Sequence, residues 1–461
     1  MYQYKGKSIG VLGLSLEGRD TVRYLITKGA IITCCDQRSK EELGEIVDDL
    51  RSYGVRFFLG KRYLSDLKRF DVVVRTPGMS PRLPELVDYA RAGGVVTSLT
   101  KMFFDECRAP IIGVSGTKGK GTTSTLIAEM LGNDGKTVHL GGNVGTPLLS
   151  HVDTIQPDDW VVLELSSFQL EDLTKSPHIA VVLRTTQEHL ANFDKLATNF
   201  HLTKEAYVEA KKPIVRFQTE KDIVVVHKDD PTARSFAQET KARSFCFSMS
   251  DASADAFVVD HTVYLRVEGD IQKLCDRQTV KLRGDHNLEN IAAASLAARD
   301  AGASVDAIRK AATMFPGLPH RLELVRIVNG VTYINDTFST VPETTIAAIR
   351  SFDEPLILIL GGSEKGSDFT EMGNVIAQSQ IKTLIVIGNM TQRILESVDR
   401  ARYEGKRIVG LRTMRDIIVA ASNEATFGDV VLLSPACASF DMFPNYKERG
   451  KQFKEEVHRI R

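Results

Sequence analysis

A glycine-rich loop between a predicted strand and a predicted helix constrains the fold of this chain more than any other feature. Residues 113–123 read GVSGTKGKGTT, directly after the apolar pair Ile111-Ile112 and before a stretch typical of a helix. Small residues let backbone N–H groups approach a phosphate closely, and the N-terminus of the following helix adds a favourable partial charge. The order of strand, glycine loop and helix therefore predicts an α/β domain with a nucleotide phosphate site.

The loop departs from the strict Walker spacing G-x-x-x-x-G-K-[ST]. Val114 stands at the first glycine position, and Gly121 stands where serine or threonine follows the lysine. Lys120 is still placed to reach the outer phosphates, and Thr122 or Thr123 is placed to hold a magnesium ion. The alternative is a chance glycine loop that contains a lysine, but the flanking strand and helix favour nucleotide binding.

Length and charge place the chain among ordinary globular proteins. Its 461 residues predict about three domains at roughly 150 residues each. Lysine plus arginine and aspartate plus glutamate number 59 each, so charge gives no argument for nucleic acid or a membrane surface as partner. The six cysteines include no C-x-x-C pair, which favours reduced core thiols. No apolar segment of signal or membrane-spanning length begins the chain, and we expect a cytoplasmic protein.

The first region predicts a strand, a glycine turn, a helix and a second strand over residues 8–36. The turn from Gly13 to Gly18 is close to the dinucleotide fingerprint, but Ser15 replaces the glycine nearest the pyrophosphate. A nucleotide sugar, with Asp36 near its ribose or base, fits better than a whole dinucleotide; the alternative is a βαβ unit without a ligand. Another turn, residues 75–81, follows a buried strand, where open α/β sheets bind ligands.

Two polar side chains follow strands of the second region. Glu164 lies on an apolar strand predicted over residues 160–170, and a buried carboxylate needs a partner such as magnesium. The alternative for Glu164 is an exposed strand tip. His189 follows the strand predicted over residues 179–183; a lone histidine is more often a hydrogen-bonded core or loop residue, but its position beside the phosphate-side loops favours a functional role.

A lysine and two asparagines stand out on the predicted helices of this region. Lys204 shares one face of a helix predicted over residues 197–211 with apolar side chains, and the alternative is a lysine that snorkels to solvent. Asn287 and Asn290 lie one helical turn apart, where they cap the helix or bind an adenine edge. Capping explains only one of the two.

The third region follows a linker over residues 315–321, with two prolines and a glycine. Arg321, at the end of this linker, suits a phosphate oxygen. Apolar strands predicted at 331–334, 356–360, 384–387 and 429–433 each run into a polar loop. Such loops after apolar strands are typical of parallel α/β sheets whose functional edge lies on one side.

Taken together, the motifs and their order resemble the Mur ligase family. The motifs are GTKGK at 116–120, GNVG at 142–145, ELSSFQL at 164–170, Glu188-His189, HNLEN at 286–290, LPHRLE at 318–323, Asn335-Asp336, GGSEKGSDF at 361–369 and SPACASFD at 434–441. The resemblance covers nearly the whole chain. It implies an α/β protein of three domains: a Rossmann-like UDP-binding domain at 1–108, a central P-loop ATPase domain at 109–316 and a Rossmann-like amino-acid-binding domain at 317–461.

The resemblance also implies an activity in peptidoglycan synthesis, and with it in cell wall biogenesis, cell shape and cell division. ATP phosphorylates a carboxylate, and the acyl phosphate is attacked by an incoming amine. Within the family the motifs are most similar to the member that adds D-glutamate to UDP-N-acetylmuramoyl-L-alanine. Alignment and charge neutralisation carry such chemistry more than a protein nucleophile does. We expect a monomer.

Site residues follow from the same resemblance. It implies ATP contacts from Gly116, Thr117, Lys118, Gly119, Lys120, Gly121, Thr122, Thr123, Asn287, Asn290, Arg321 and Asp336. One magnesium ion is implied at Thr122 or Thr123 with Glu164, and a second at His189, while Lys204 takes the position of the family's carbamylated lysine. The implied contacts of the UDP substrate are Ser15, Leu16, Asp36, Gln37, Arg38, Thr76, Gly78, Met79, Asn143, Ser166 and Gln169, and those of glutamate are Thr340, Lys365, Ser439, Phe440 and Tyr446. Lys120, Asn143, His189 and Lys204 are the implied catalytic residues.

Two departures from the family pattern leave alternatives open. Phe338 replaces a lysine and Val341 replaces an asparagine in the run after the first strand of the third domain. The lost charge allows altered ATP geometry, another amino acid such as L-glutamate, or a nucleotide-binding protein without catalysis. The loop Lys120-Gly121-Thr122 is also similar to folylpolyglutamate synthase, whose other motifs are missing. Retention of the four catalytic residues argues against loss of catalysis.

Overall fold

The fold was analysed in a computed structural model that describes residues 4–186, 199–364 and 366–460. The described chain forms three β-sheets with flanking helices, which confirms the predicted three-domain α/β fold. By contacts it divides into two compact units. The larger contains most of the first 312 residues, and the smaller contains residues 276–288 and 313–460. The predicted boundaries near 108 and 316 stay predictions.

The first sheet has five parallel strands in the order β3-β2-β1-β4-β5. Its elements are β1 (Ser8–Leu12), α1 (Leu16–Thr27), β2 (Ile31–Asp36), α2 (Lys40–Leu43), α3 (Glu45–Arg51), β3 (Arg56–Leu59), β4 (Val72–Arg75), α4 (Pro84–Arg91), β5 (Val95–Ser98) and α5 (Leu99–Glu106). Strands β1, β2 and β4 are buried on both faces, as their continuous apolar sequences predict. The loops after these three adjacent strands therefore emerge side by side.

The second sheet has nine strands in the order β14-β13-β12-β11-β10-β9-β6-β8-β7. Its strands are β6 (Ile111–Ser115), β7 (Val138–Gly142), β8 (Trp160–Glu164), β9 (Ile179–Val182), β10 (Ile223–His227), β11 (Arg243–Ser248), β12 (Ala256–Val259), β13 (Thr262–Val267) and β14 (Asp270–Asp276). The accompanying helices are α6 (Lys120–Asn133), α7 (Ser167–Leu170), α8 (Lys204–Glu209), α9 (Pro213–Arg216), α10 (Pro231–Ser235), α11 (His286–Asp300) and α12 (Val305–Met314). Residues of the first and second sheets share one apolar core.

The third sheet has six strands in the order β15-β16-β20-β17-β18-β19. Its elements are β15 (Glu323–Val328), β16 (Val331–Asn335), α13 (Pro342–Ile349), β17 (Leu356–Gly361), α14 (Thr370–Gln378), β18 (Ile381–Ile387), α15 (Thr391–Arg400), β19 (Lys406–Val409), α16 (Met414–Glu424), β20 (Val430–Leu433) and α17 (Tyr446–His458). All pairs are parallel except β15 with β16, which form an antiparallel hairpin at one edge.

Two predicted elements are shorter in the structure. The strand predicted over 160–170 ends at Glu164, and Ser166 then caps the short helix α7 with its side chain. The helix predicted over 197–211 is α8, which begins only at Lys204 because Thr203 caps it. Phe200 lies before the helix, so the predicted apolar stripe of Phe200, Lys204 and Tyr207 is wrong. Within the described residues, no helix has the length and apolarity to cross a membrane.

Candidate functional site

The glycine loop joins β6 to α6 at the end of a buried strand. Gly116 and Gly119 have φ angles of 147° and 87°, a region that favours glycine. A Cβ atom on Gly119 would lie 2.3 Å from the Asn290 Oδ1 atom, and one on Gly116 would lie 2.7 Å from Leu183. The loop thus passes so close to its neighbours that both positions need glycine, and its backbone turns into the N-terminus of a fourteen-residue helix.

Lys120 is the first residue of α6, and its ammonium group folds back over the loop. Its Nζ atom donates to the carbonyl oxygens of Thr117, at 2.7 Å, and Gly116, at 3.2 Å. Among the described residues, no carboxylate forms an ion pair with Lys120. A half-buried cation without an acidic partner at a helix N-terminus fits an anionic ligand such as a polyphosphate.

The loop hydroxyl groups differ in how they are engaged. Thr123 is fully buried and donates to Asn290 Oδ1 at 3.3 Å, so it lies behind the loop. Thr117 donates to the Thr186 carbonyl oxygen and lies 3.2 Å from the Tyr207 hydroxyl. Both Thr122 and Thr123 are buried, but the Thr123 hydroxyl group is already bound to Asn290, which makes Thr122 the better of the two predicted magnesium residues. Lys118 is exposed on the loop surface.

Glu164 ends β8 beside the phosphate loop. It lies in register with Val114 of β6 on one side and Gly142 of β7 on the other. Its carbonyl oxygen accepts from the backbone N–H of Asn143 at 3.1 Å, and the Asn143 side chain is exposed. Glu164 and Asn143 therefore lie at the same sheet edge as the glycine loop, as the sequence predicts.

These residues fit a nucleotide with magnesium. Magnesium prefers oxygen ligands and keeps several water and phosphate oxygens, so it needs few protein ligands. The Glu164 carboxylate and the Thr122 hydroxyl group supply such oxygens. The described residues contain no group of three or more histidine, cysteine, aspartate or glutamate side chains that could hold a metal ion by themselves.

Lys211 is a residue at this site that sequence reasoning missed. It follows α8, is almost fully buried, and its Nζ atom donates to Ser115 Oγ and the Gly116 carbonyl oxygen, both at 3.1 Å. The ammonium group also lies 4.6 Å from the centre of the Tyr207 ring. Lys204, the predicted site of carbamylation, is half-buried at the first position of α8. In the sequence, the only indication of the contact between Lys211 and Tyr207 was their spacing of four residues.

The predicted UDP contacts gather at the ends of β1, β2 and β4. Ser15, Leu16, Gln37 and Gly78 are exposed there, and Thr76 and Met79 are buried. Asp36 is also buried, and its carboxylate accepts from the backbone N–H groups of Leu14 and Arg38 and from the Arg38 guanidinium. These hydrogen bonds from Arg38 and Leu14 hold the pKa of Asp36 below its ordinary value although burial opposes them. Asp36 thus orients Arg38, which is the more accessible of the two.

Ser166 and Gln169 form a reciprocal cap at the start of α7. Gln169 is buried, and its Oε1 atom accepts from the Ser166 backbone N–H at 3.0 Å while its Nε2 atom donates to Glu17 Oε1 at 2.9 Å. Burial raises the pKa of the Glu17 carboxyl group. With its amide used in this way, Gln169 positions Ser166, which is the more exposed of the pair.

Arg75 is a second residue that sequence reasoning missed. Its side chain is fully buried and forms ion pairs with Asp172 at 2.9 Å and Glu171 at 3.4 Å. It also donates to the carbonyl oxygens of Met79 and Phe168. Arg75 therefore ties the turn after β4 to the segment after α7. An arginine directly after three valines was the only signal in the sequence.

In the smaller unit, Asp336 is fully buried at the end of β16. Its carboxylate accepts from Ser434 Oγ at 2.7 Å and from the Leu322 backbone N–H at 3.1 Å. Burial raises the pKa of Asp336 to about 6 against these hydrogen bonds. Asn287, also in this unit, donates to the Arg283 carbonyl oxygen at 2.6 Å. The predicted ATP contacts of both residues stay predictions.

Of the predicted glutamate residues, Thr340, Ser439 and Phe440 lie on the loops after the adjacent strands β16 and β20, and Tyr446 is the first residue of α17. Ser439 is buried, Phe440 is largely exposed, and Thr340 and Tyr446 are half-buried. Arg449, which was not predicted, is fully buried and donates to the carbonyl oxygens of Thr337 and Cys437, which joins the two loops. Burial lowers the pKa of Arg449 to about 10. His189 and Lys365 lie outside the described residues.

Family models match three successive parts of the chain. A MurD-like N-terminal domain of Mur ligases matches residues 7–98, a Mur ligase middle domain matches 114–298, and a Mur ligase glutamate ligase domain matches 320–437. These matches fall on the first, second and third sheets.

Several proteins are similar along their whole length. A protein of Symbiobacterium thermophilum named UDP-N-acetylmuramoylalanine–D-glutamate ligase is 41% identical over 453 residues, which cover 98% of this chain and 97% of the relative. One of the same name in Acetivibrio thermocellus is 40% identical over 465 residues, covering 99% and 97%. Two Thermotoga maritima structures are similar in fold: UDP-N-acetylmuramate-alanine ligase (TM-score 0.62, 16% identity, 98% and 99% covered) and MurF ligase in complex with ADP (TM-score 0.57, 19% identity, 98% and 95% covered).

Proposed function

This chain belongs to the Mur ligase family, and we propose that it uses ATP to join D-glutamate to UDP-N-acetylmuramoyl-L-alanine in peptidoglycan precursor synthesis. The observation that carries the proposal is the phosphate loop. Close packing requires glycine at positions 116 and 119 of the loop, and the Lys120 ammonium group donates to the carbonyl oxygens of Gly116 and Thr117. The two relatives above, which carry this activity in their names, match the chain over nearly its full length.

The reaction takes place in two steps. A carboxylate oxygen of the L-alanyl group attacks the γ-phosphorus of ATP, the bond to the β-phosphate oxygen breaks, and ADP leaves. The amine of D-glutamate, after losing a proton, then attacks the carbonyl carbon of the acyl phosphate, and inorganic phosphate leaves as the amide forms. Both steps bring anions together, so neutralisation and alignment limit the rate.

We assign the neutralising roles to the loop residues. Lys120 binds the outer phosphates, and backbone N–H groups of the loop at residues 118–121 bind the remaining phosphate oxygens, whereas the Thr117 N–H donates to the Arg184 carbonyl oxygen. Bound magnesium supplies further positive charge to the phosphate oxygens. Thr122 and Glu164 are the residues proposed to hold one ion and His189 a second, while Asn143 and Ser166 lie by the acyl group. Arg321, Asn287, Asn290 and Asp336 complete the proposed nucleotide contacts.

A carbamylated lysine belongs to the proposal, and two lysines compete for the modification. Lys204 is the residue that the motif comparison favours. Lys211 is favoured by its burial and by the 3.1 Å contacts of its Nζ atom with the phosphate loop. Carbon dioxide adds to the neutral amine, a proton leaves, and the resulting carbamate supplies oxygen ligands for magnesium. Carbon-13 NMR with labelled bicarbonate distinguishes the two lysines. If Lys204 is modified, the carbamate signal disappears in the Lys204→Met protein and remains in the Lys211→Met protein; if Lys211 is modified, the reverse holds.

Phosphate release tests the function directly. The enzyme is supplied with ATP, magnesium and UDP-N-acetylmuramoyl-L-alanine, and D-glutamate or L-glutamate is added in parallel. We expect release that depends on D-glutamate, with the amide product confirmed by mass spectrometry. Phosphate release with L-glutamate alone would support the ligase activity but assign L-glutamate as its amino-acid substrate. ATP binding without release under either condition would instead support the non-catalytic alternative suggested by Phe338.

The oligomeric state and the cellular location of the protein are proposed from the same resemblance. We propose a monomer in the cytoplasm, where ATP and the nucleotide-linked precursor are available. Light scattering coupled to size exclusion tests the first point, with 51.0 kDa expected for a single chain. A mass near twice that value would contradict it.

A further inference from the structure

The departure at Phe338 has a structural counterpart in the smaller unit. Phe338 is 44% exposed, whereas its neighbours Thr337 and Ser339 are buried. The backbone around it is fixed: the Phe338 N–H donates to the His320 carbonyl oxygen at 3.0 Å, and the Ser339 carbonyl oxygen accepts from Ala436 at 2.9 Å. These two backbone hydrogen bonds therefore set the direction in which the Phe338 side chain leaves the backbone.

The exposed ring contacts two residues with proposed roles in the reaction. The Arg321 guanidinium carbon lies 4.5 Å from the centre of the Phe338 ring. The Tyr446 ring meets the same ring edge to face, with centres 5.3 Å apart and planes at 88°. Both arrangements are favourable ones for an aromatic ring.

The Phe338 ring restrains the Arg321 side chain by stacking on its guanidinium group. Among the described residues, no carboxylate forms an ion pair with Arg321. A guanidinium group uses its face for stacking and its edge for hydrogen bonds. When Phe338 covers one face, the N–H groups of the edge remain available for an anionic oxygen.

From this geometry we propose that Phe338 is a positioning residue, whose ring packs against Tyr446, stacks on the Arg321 guanidinium and presents the N–H edge of that guanidinium to a substrate phosphate oxygen. The inference rests on the proposed function, which gives Arg321 a nucleotide contact and Tyr446 a glutamate contact. Phe338 itself touches neither substrate. The lysine that the family pattern has here would repel Arg321. Phenylalanine at this position removes that positive charge and instead fixes the orientation of the Arg321 guanidinium.

A set of full-length variants tests the proposal through kcat/KM for ATP. Phe338→Leu keeps an apolar side chain but removes the ring, and we expect a loss of about 5- to 20-fold, the size of a cation–π contact. Phe338→Tyr keeps the ring and should stay within about twofold of the wild type. Phe427→Leu is the matched control, because Phe427 is an 87% exposed phenylalanine of the same unit without a proposed role; we expect no change.

A double-mutant cycle separates positioning from a general effect. Arg321→Ala should lower kcat/KM, and adding Phe338→Leu to it should cause no further loss beyond about twofold, because the ring acts through Arg321. An equal loss on both backgrounds, or a Phe338→Leu enzyme within twofold of the wild type, would overturn the proposal. The temperature of unfolding should be the same for all Phe338 variants, as expected for an exposed side chain.

Failure of the proposed function would be visible separately. If the wild-type protein releases no phosphate with either glutamate, the wild type, Phe338→Leu, Arg321→Ala and the double variant are compared by calorimetric titration with ADP and magnesium. Coupling between Phe338 and Arg321 in the dissociation constant would then support the positioning role without the ligase reaction. Additive changes in that constant would overturn it.

Discussion

Lys118 and Lys120 stand two positions apart in one loop but have different environments. Lys120 is half-buried and donates to two carbonyl oxygens, whereas Lys118 is exposed on the loop surface. Composition and spacing treat the two lysines alike; only the backbone turn at Gly119 separates them. The difference gives a matched pair for mutation.

We expect Lys120→Met to lower kcat for phosphate release by about 10²- to 10³-fold, the typical cost of removing a preorganised charge stabiliser. Lys118→Met should cost less than about 5-fold, as for other exposed charges. Steady-state phosphate release at saturating substrates measures both. Equal losses would mean that Lys118 also binds the transferred phosphoryl group.

Asp336 gives a prediction for stability against pH. Its pKa rises to about 6 in the folded protein because burial disfavours the carboxylate, against about 3.9 for an unfolded aspartate. Between pH 4 and pH 6 the folded state binds more protons than the unfolded state. The contribution of Asp336 to the unfolding free energy is therefore fully present below pH 4 and is lost as the pH rises through 6. The loss is on the order of 3 kcal/mol.

Asp336→Asn isolates this contribution from those of other carboxylates. The difference in unfolding free energy between wild type and variant should change between pH 4 and 6 and stay level above pH 7. Urea unfolding followed by far-UV circular dichroism at several pH values measures it. A difference that does not vary with pH would show that Asp336 titrates normally in the folded state.

At the scale of elements, Arg75 and Arg82 form a comparison around one glutamate. Both contact Glu171, but Arg75 is fully buried and Arg82 is 52% exposed. Arg75→Met leaves Glu171 and Asp172 without their buried partner, and we expect the free energy of unfolding to fall by about 3–5 kcal/mol. Arg82→Met should cost about 1 kcal/mol or less, because water screens the half-exposed Arg82 charge and Glu171 keeps its buried partner Arg75.

Fluorescence of the single tryptophan provides the measurement. Trp160 lies on β8, in the same unit as Arg75 and Arg82, so its emission during urea unfolding reports on that unit. A similar shift of the urea midpoint in both variants would contradict the assignment of the stabilisation to the buried pair.

The sequence predicted strands and phosphate-side loops better than side-chain directions. Apolar runs such as 356–360 set the parallel strands, because only buried strands tolerate them. The predicted helix over 197–211 was wrong over 199–203, because a capping threonine outweighs an apolar repeat of three residues. Gln169 and Asp36 form tertiary hydrogen bonds, with Glu17 and Leu14, that the sequence pattern did not predict, and their predicted substrate contacts stay predictions. Arg75 and Lys211 were missed because their partners are distant in sequence.

For the whole molecule, the balance of charge decides how nucleotide binding should be tested. With 59 cations and 59 carboxylates, the chain has no net field that attracts polyanions in general. Stabilisation by a nucleotide must therefore come from a specific site. ADP with magnesium is the suitable probe, because it binds without turnover.

We expect ADP at about 100 times its dissociation constant to raise the unfolding free energy by about 2.7 kcal/mol, because only the folded chain binds it. Tripolyphosphate at equal ionic strength should bind the loop more weakly, since it lacks the base and ribose, and sulfate should give almost no shift. Lys120→Met should lose most of the ADP effect, and Lys118→Met should retain it. Thermal unfolding across a titration with each ligand measures these shifts. Equal stabilisation of the wild type and the Lys120→Met protein would contradict the proposed contact between Lys120 and the nucleotide phosphates.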